Sequence, residues 1–329
     1  MAPPTPTKHV RIVEVGPRDG LQNEPGRVPT ADKAELVRSL IATGTPEIEL
    51  TSFVSPKWIP QLGDAAELLD SLTGDLPETT TFSALVPNQR GMDRLLDANE
   101  KAVRATGRRA IDKVCLFTAA SETFSQKNTN ASIEESITRM GPVVAAAKEH
   151  ELTLRLYVSC AFGCPFEGDI RPANVVSTLR LASLIFGVED DRWLREHLEV
   201  SPSDTIGVAT PGKIGLVLEA IKDATPTWWI DPSTNVNLHL HDTFNRAADC
   251  VRAGLEAGVR SFDGAVGGLG GCPYASTPGK RAPGNIATST LVQTVEDAGY
   301  ETGVDHAALN IARVLAGDLV ARARAGAPA

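Results

Sequence analysis

The chain has 329 residues, of which 42 % are hydrophobic and 22 % are charged, and these fractions are ordinary for a soluble globular protein. Its formal net charge of −9 argues against nucleic acid or an anionic membrane as the main partner. The sequence holds no apolar run of the ~18 residues that a membrane-spanning helix needs. Its five cysteines are an odd number, so we expect reduced thiols and a cytoplasmic protein.

Eight short runs have the length and the apolar or alternating pattern of β-strands: Val10–Val15, Ile48–Phe53, Thr81–Val86, Lys113–Phe117, Leu152–Ser159, Leu198–Ser201, Val236–His241 and Ser261–Val266. Amphipathic stretches with helical spacing lie between them: Ala31–Thr43, Ala65–Leu72, Ile133–His150, Ala173–Phe186, Gly212–Ala224, Ala247–Ala257 and Ile286–Asp297. This alternation predicts an α/β fold, a parallel (β/α)₈ TIM barrel with a C-terminal helical extension over His306–Arg324. A doubly wound open sheet is the alternative, but no Gly-x-Gly-x-x-Gly opens the first helix.

The length of the chain is compatible with one barrel, because α/β barrels reach this size as single units. We therefore expect a single domain over residues 1–329. The barrel is predicted to occupy about 10–303, and a C-terminal helix and tail to occupy 304–329.

Several predicted strands carry charged residues among aliphatic ones. Glu49 lies between two aliphatic residues of the second strand, Arg155 and Tyr157 share one face of the fifth, and Asp263 lies on the eighth. Aliphatic side chains of a barrel normally pack against its helices, so we expect these polar side chains to face inward. Buried charges need partners. The pattern therefore predicts either a structural layer of ion pairs or a metal site.

His239 and His241 end the seventh predicted strand, and they are two of only six histidines in the chain. Side chains alternate along a strand, so both imidazoles point the same way and can hold one divalent metal. A chance pair of surface histidines is the alternative. The end of a buried strand favours the metal, because polar side chains there need a partner.

Three features fall on the rim where barrel active sites lie, at the C-terminal ends of the strands. Arg18 and Asp19 follow the first strand within a few residues, and His241 ends the seventh. A glycine-rich loop, residues 267–272, follows the eighth strand. We expect these segments to lie on one rim.

Six ordered segments carry a resemblance to a known family. They are residues 13–24 (VEVGPRDGLQNE), 51–58 (TSFVSPKW), 157–165 (YVSCAFGCP), 204–207 (DTIG), 238–243 (LHLHDT) and 267–275 (GGLGGCPYA). Together they closely resemble the hydroxymethylglutaryl-CoA lyases, metal-dependent (β/α)₈ enzymes related to the isopropylmalate and homocitrate synthases. The resemblance extends from about Val10 to Gly303.

The resemblance implies a metal centre. Asp19, His239, His241 and Asn285 match the family's ligands for Mg²⁺ or Mn²⁺. One carboxylate, two imidazoles and one amide oxygen leave two octahedral positions, which suit a substrate hydroxyl and carboxylate.

The resemblance also implies catalytic residues. Arg18 matches the arginine that stabilises enolate charge, and Glu49 matches a glutamate in the pocket. Cys272 matches the cysteine of a mobile loop that transfers a proton. Asp19 and His239 count among the catalytic residues as metal ligands. His239 is also a candidate to assist proton removal, although a metal-bound imidazole is a poor base.

The implied reaction is the retro-Claisen cleavage of (S)-3-hydroxy-3-methylglutaryl-CoA to acetoacetate and acetyl-CoA, a step of leucine catabolism. We expect an acyl-CoA substrate, a homodimer and no nucleic-acid or membrane partner. Three alternatives stay open: a lyase for a related branched 3-hydroxyacyl-CoA, a Claisen-type synthase of the isopropylmalate or homocitrate type, and a non-catalytic metal-binding barrel.

The connection between Cys272 and Asn285 is longer than the family's usual one, and it holds Lys280 and Arg281. We expect either a lid whose cations meet the anionic groups of the substrate or a solvated bulge, because loops tolerate insertion cheaply. Phe244 also departs from the family's common tyrosine. These changes lie on the rim, so they leave the acyl-chain preference open.

Overall fold

The computed structural model describes residues 8–224, 230–271 and 283–326. Eight strands pair in parallel in the order β7-β6-β5-β4-β3-β2-β1-β8. They are β1 Arg11–Glu14, β2 Glu47–Ser52, β3 Thr81–Leu85, β4 Lys113–Ala119, β5 Thr153–Ser159, β6 Leu198–Asp204, β7 His239–Leu240 and β8 Ser261–Gly264. A parallel bridge between Leu238 and Phe262 joins the two ends of this order. The sheet therefore closes into the predicted (β/α)₈ barrel.

Helices cover the outside of the barrel. In the described part of the chain they are α1 Thr30–Ile41, α2 Ala65–Ser71, α3 Gln89–Thr106, α4 Glu122–Thr129, α5 Ile133–Glu149, α6 Pro172–Phe186, α7 Arg192–His197, α8 Pro211–Asp223, α9 Ala247–Glu256, α10 Thr288–Asp297 and α11 His306–Ala325. Each predicted helix is present within a few residues of its predicted bounds, and α11 is the predicted extension. The sequence prediction missed α3, α4 and α7. Within the described residues, no helix combines the length and the apolar character that a membrane crossing requires.

Two strand predictions need correction. The sixth strand runs to Asp204 rather than Ser201, and the regular part of the seventh is only His239–Leu240 rather than Val236–His241. Val236 still bridges to Val200, in the same register as the later pairs of β6 and β7. The ladder is interrupted between these points because Pro202 of β6 has no N–H to donate.

Apolar side chains of the strands pack outward against the helices in one large core, to which Ile12, Ile48, Phe82, Leu116 and Leu154 belong. The alternate positions face inward. This division follows from the two-residue period of a strand, and it confirms the prediction that the charged strand residues point into the barrel.

The inward charges at the lower end of the barrel form an ion-pair network. Arg155 is fully buried, and its Nη1 and Nη2 lie 3.0 Å from Glu47 Oε1 and 2.8 Å from Glu199 Oε2. Lys113 Nζ lies 2.7 Å from Glu47 and 3.0 Å from Glu199. Arg155 also lies 3.7 Å from Asp263 on β8, which connects this network to the residues above it. Losing one partner of such a network leaves a buried charge uncompensated, at a cost of ~3–5 kcal/mol.

Candidate metal centre and catalytic site

The segment after β1 places Arg18 and Asp19. It forms one π-helical turn, Gly16–Gly20, in which the Asp19 and Gly20 N–H groups donate to the Val15 carbonyl at 2.8 and 3.1 Å. A Cβ at Gly16 would lie 2.6 Å from Glu14 Oε1 and 3.0 Å from Val266 Cγ1, so a larger residue there would displace both side chains. The turn aims both functional side chains at the barrel axis.

Buried Glu14 holds this turn against the segments that follow the neighbouring strand β8. Its Oε1 accepts hydrogen bonds from the N–H groups of Gly16 (2.7 Å) and Val266 (2.9 Å), and its Oε2 accepts one from the Thr288 hydroxyl (2.5 Å). Burial raises the pKa of Glu14 to about 7, against the effect of these donors. One side chain thus connects β1, the segment after β8 and α10.

Asp19, His239 and His241 come together at the C-terminal ends of β1 and β7. Their ligand atoms all lie within 4.8 Å of one another, and the two imidazole Nε2 atoms are 3.2 Å apart. Asn285 joins them, because its Nδ2 donates to Asp19 Oδ2 at 2.8 Å and its backbone bridges to His241. All four predicted metal ligands therefore lie in one cluster.

The cluster fits a divalent cation. Asn285 Oδ1 is buried and has no hydrogen-bond partner among the described residues, although buried polar atoms normally have one. The two Nε2 atoms face each other without a carboxylate between them. A carboxylate, two imidazoles and an amide oxygen together form a donor set that can hold a divalent metal ion.

Burial and neighbouring charges shift the pKa values of these candidate ligands. Burial disfavours the charge of Asp19, but Arg18 and the two imidazoles hold its pKa below the ordinary value. Burial also opposes a charge on His239, yet its hydrogen bond to Asp263 and the charge of Asp19 raise its pKa. Burial and the charge of His239 lower the pKa of His241 to about 4. Both directions favour the forms that bind a cation, an ionised Asp19 and a neutral His241.

Arg18 is a fixed, buried cation beside the cluster. Its Nη1 lies 2.6 Å from Asp19 Oδ1, its Nη2 lies 2.7 Å from Glu49 Oε2, and its guanidinium stacks over the Tyr157 ring at 5.6 Å. Burial disfavours the charge of Arg18, but the carboxylates of Glu49 and Asp19 outweigh this effect and raise the pKa of Arg18 above its ordinary value. Burial raises the pKa of Glu49, and Arg18 partly offsets this. The predicted Arg18 and Glu49 thus form one buried pair that also contacts the candidate metal ligand Asp19.

Cys272 lies outside the described residues, but the glycines before it can be placed. Gly270 has φ +104° and Gly271 φ +126°, a backbone region that favours glycine. A Cβ on Gly270 would lie 2.6 Å from Asn285 Nδ2 and 3.4 Å from Asp19 Oδ2. The loop that leads to Cys272 therefore passes directly over the candidate metal ligands.

Sequence reasoning left open whether Tyr157 and Asp263 belong to a structural layer of the barrel or to the site. Tyr157 packs edge-on against His239 with ring centroids 5.8 Å apart, and Asp263 Oδ2 lies 2.9 Å from His239 Nδ1. Inward alternation marked both residues as buried polar side chains. Their pairing with His239 depends on which strands are neighbours in the closed barrel.

The fold and the site define a class of protein: a (β/α)₈ barrel with an acid, two imidazoles and a buried guanidinium at the C-terminal ends of its strands. A family model narrows this class, because the model described as HMGL-like matches residues 9–315. The chain belongs to the HMGL-like family.

Individual relatives agree with this placement. The mitochondrial hydroxymethylglutaryl-CoA lyase of Arabidopsis thaliana is 38 % identical over 315 residues, which are 96 % of this chain and 59 % of that protein. The 3-hydroxy-3-isohexenylglutaryl-CoA/hydroxy-methylglutaryl-CoA lyase of Pseudomonas aeruginosa is 39 % identical over 92 % of this chain and 90 % of its own length. An HMG-CoA lyase structure from Acinetobacter baumannii, in complex with coenzyme A and 3-methylmalate, has a TM-score of 0.79 and 32 % identity, and the match covers 95 % of this chain and 92 % of that one.

Proposed function

We propose that the protein is a divalent-metal-dependent carbon–carbon lyase that cleaves (S)-3-hydroxy-3-methylglutaryl-CoA into acetoacetate and acetyl-CoA. The observation that carries the proposal is the buried Arg18 guanidinium in contact with Asp19, within a cluster that also holds His239 and His241. The family's lyases at 38–41 % identity support the reaction type. The C-terminal rim of the barrel is also where such chemistry is expected.

Asp19, His239, His241 and Asn285 are the residues that would hold the metal. When bound, a divalent cation would polarise the substrate's tertiary hydroxyl and orient the substrate. We propose Mg²⁺ or Mn²⁺, because these are the ions that the family resemblance implies for these four ligands.

Arg18 would stabilise the charge that develops when the C2–C3 bond breaks. The electron pair of that bond moves onto the thioester, and the acetyl-CoA enolate oxygen becomes negative. A guanidinium held at two points by Asp19 and Glu49 is already oriented and does not have to reorganise during the reaction. Glu49 therefore has a positioning role, through its contact with Arg18.

The enolate must finally take up a proton at carbon. We propose Cys272 as its donor, on the basis of the family resemblance and of the position of Gly270 beside Asp19 and Asn285. When the tertiary hydroxyl loses its proton, C3 becomes the ketone carbonyl of acetoacetate. That proton passes to solvent, with His239 as a candidate to assist, and the Cys272 thiolate regains a proton from solvent, so one proton is lost and one is gained.

The substrate class and the cellular compartment of the enzyme belong to the same proposal. An acyl-CoA substrate is supported by the related lyase structure in complex with coenzyme A. Matched mouse lyases carry both cytoplasmic and mitochondrial names, and we propose the cytoplasm for this chain. The homodimer, the role in leucine catabolism and the single-domain organisation stay predictions.

A second candidate is a lyase for a 3-hydroxyacyl-CoA with a longer branch at C3. The observation that favours it is the Pseudomonas relative, whose name includes the isohexenyl substrate. The long connection between Cys272 and Asn285, which lies mostly outside the described residues, agrees with a different acyl preference.

One experiment separates the candidates. The purified protein, loaded with Mg²⁺ or Mn²⁺, is incubated with a series of 3-hydroxyacyl-CoA thioesters that differ in the C3 branch, and the products are identified. The proposal expects the highest kcat/KM for the methyl branch. A maximum at a longer branch favours the second candidate, whereas condensation of acetyl-CoA with an oxo acid, without cleavage, indicates a Claisen-type synthase.

A further inference from the structure

Asp263 is a buried carboxylate that the proposed reaction does not use. It lies on β8, it is 1 % exposed, and its Oδ2 lies 2.9 Å from Nδ1 of His239 on the neighbouring β7. We propose that Asp263 is a positioning residue that keeps the ring proton of His239 on Nδ1, so that Nε2 is the atom offered to the metal. The inference rests on the metal centre of the proposed function and assigns a residue beyond it.

The chemistry of the two side chains leads to this assignment. A neutral imidazole has one N–H donor and one nitrogen with a free lone pair, and an ionised carboxylate can only accept. A carboxylate at Nδ1 therefore selects the form in which Nδ1 carries the proton. The free lone pair then lies on Nε2, the nitrogen that is 3.2 Å from Nε2 of His241. Carboxylates that accept from metal-bound histidines in this way are a common outer layer of metal sites.

Asp263 is itself held so that one oxygen remains for His239. Asn237 Nδ2 donates to Asp263 Oδ1 at 2.7 Å. The amide of Asn237 is oriented from both sides, because its Nδ2 also donates to Ser201 Oγ at 3.1 Å and its Oδ1 accepts from Ser261 Oγ at 2.7 Å. A carboxylate can only accept, so the contact with Asp263 places Nδ2 rather than Oδ1 of Asn237 toward it. Oδ1 of Asp263 is thereby occupied, and Oδ2 points at the imidazole.

Asp263 also has a cationic neighbour within the barrel. The Arg155 guanidinium lies 3.7 Å from Asp263 Oδ1. The ion-pair network of the lower barrel thus supports the carboxylate that faces the candidate metal ligand.

Glu47 provides a matched control. It is as deeply buried as Asp263 and it pairs with the same Arg155, at 3.0 Å. Glu47 has no contact with His239. Neutralising either carboxylate therefore disturbs the same network, but only Asp263→Asn removes the charged acceptor at Nδ1. An asparagine in that place can accept or donate, so it no longer selects one form of the ring.

The first test uses the wild-type protein. Its six histidines are labelled with ¹⁵N, and ring protonation is measured by long-range ¹H–¹⁵N correlation in the presence of Mg²⁺, with assignment by His239→Gln. We expect His239 to carry its proton on Nδ1 and to have an unprotonated Nε2. A ring with the proton on Nε2 overturns the proposal, and this reading does not depend on whether any variant at Asp263 folds.

The second test compares Mn²⁺ affinity by electron paramagnetic resonance titration. Asp263→Asn is expected to bind Mn²⁺ ~10–100-fold more weakly than the wild type, because outer partners of metal-binding histidines commonly have effects of that size. Glu47→Gln is expected to melt at a lower temperature and to keep the wild-type affinity. Equal affinities in Asp263→Asn and the wild type, or equal losses in both variants, overturn the proposal.

Neither test uses thioester cleavage. A protein that binds Mn²⁺ through a correctly protonated His239 but cleaves no thioester contradicts the proposed function alone. A protein that cleaves hydroxymethylglutaryl-CoA with the ring proton on Nε2 contradicts the role of Asp263 alone.

Discussion

Replacing Arg18 by glutamine removes the positive charge that is proposed to stabilise the enolate-like transition state. The Arg18 side chain is only 7 % exposed, and its two terminal nitrogens contact Asp19 and Glu49 at 2.6 and 2.7 Å. Glutamine is shorter and neutral, so it can neither bridge these carboxylates nor stabilise an enolate oxygen. The thioester oxygen carries little charge before the bond breaks, so the loss falls mainly on kcat.

The size of the effect follows from the number of donors lost. Removing one preorganised donor from an oxyanion site costs ~2.7–4 kcal/mol, or ~10²–10³-fold in kcat. A guanidinium supplies a full charge and two donors, so we expect the upper end, a fall of ~10³-fold or more with a modest change in KM. Arg18→Lys keeps the charge but loses the planar guanidinium, so its kcat should lie between those of the wild type and of Arg18→Gln.

Steady-state kinetics of acetyl-CoA release from hydroxymethylglutaryl-CoA test this prediction. Arg38→Gln is the matched control, because Arg38 also pairs with a carboxylate, Asp75 at 2.7 Å, but is 46 % exposed. Its kinetics should equal the wild type's, since exposed pairs contribute little. An Arg18→Gln enzyme with unchanged kcat and raised KM would refute the reasoning and make Arg18 an anchor for CoA or a carboxylate.

Three further variants test other parts of the account. His241→Ala should weaken Mn²⁺ binding far more than replacement of the exposed His150 by alanine, and similar affinities in an electron paramagnetic resonance titration would remove His241 from the metal centre. Cys272→Ser should lower kcat by ~10²-fold or more with little loss of metal, because a hydroxyl is a much weaker acid than a thiol, and wild-type turnover would leave Cys272 a packing role. Arg155→Met should lower the free energy of unfolding in urea by ~3–5 kcal/mol, because it leaves buried carboxylates without their cation, and an unchanged midpoint would contradict the ion-pair network.

The barrel could be predicted because strand and helix periods alternate along most of the chain. Helix α3 was missed in the sequence, although Asn88 caps its first turn by accepting a hydrogen bond from the Gly91 N–H. Its buried stripe of Met92, Leu95 and Ala102 is interrupted by Asn99, whose side chain bonds the backbone of Ile111 at 2.8 and 2.9 Å. In the sequence alone, a polar residue at a buried helix position interrupts the apolar pattern. Its hydrogen-bond partners, which lie beyond the helix, become visible only in the structure.

Some residues of the site could be predicted from general rules for strands and barrels, whereas others could not. Strand alternation alone predicted that His239 and His241 would share a face, and the rim rule predicted that Asp19 would lie near them. Asn285 came only from the family resemblance, because no period in the sequence connects it to a strand end. The pairing of Asp263 with His239 needs the register between β7 and β8, which the bridge of Leu238 to Phe262 sets.

The most direct test of the central claim is product analysis before and after the removal of divalent ions. The protein is stripped with a chelator, dialysed and incubated with (S)-3-hydroxy-3-methylglutaryl-CoA, alone or with Mg²⁺ or Mn²⁺ restored. The account predicts no cleavage by the stripped protein, and acetoacetate and acetyl-CoA in equal amounts once either ion is returned. Full activity in the metal-free protein, or no cleavage with either ion present, would contradict it.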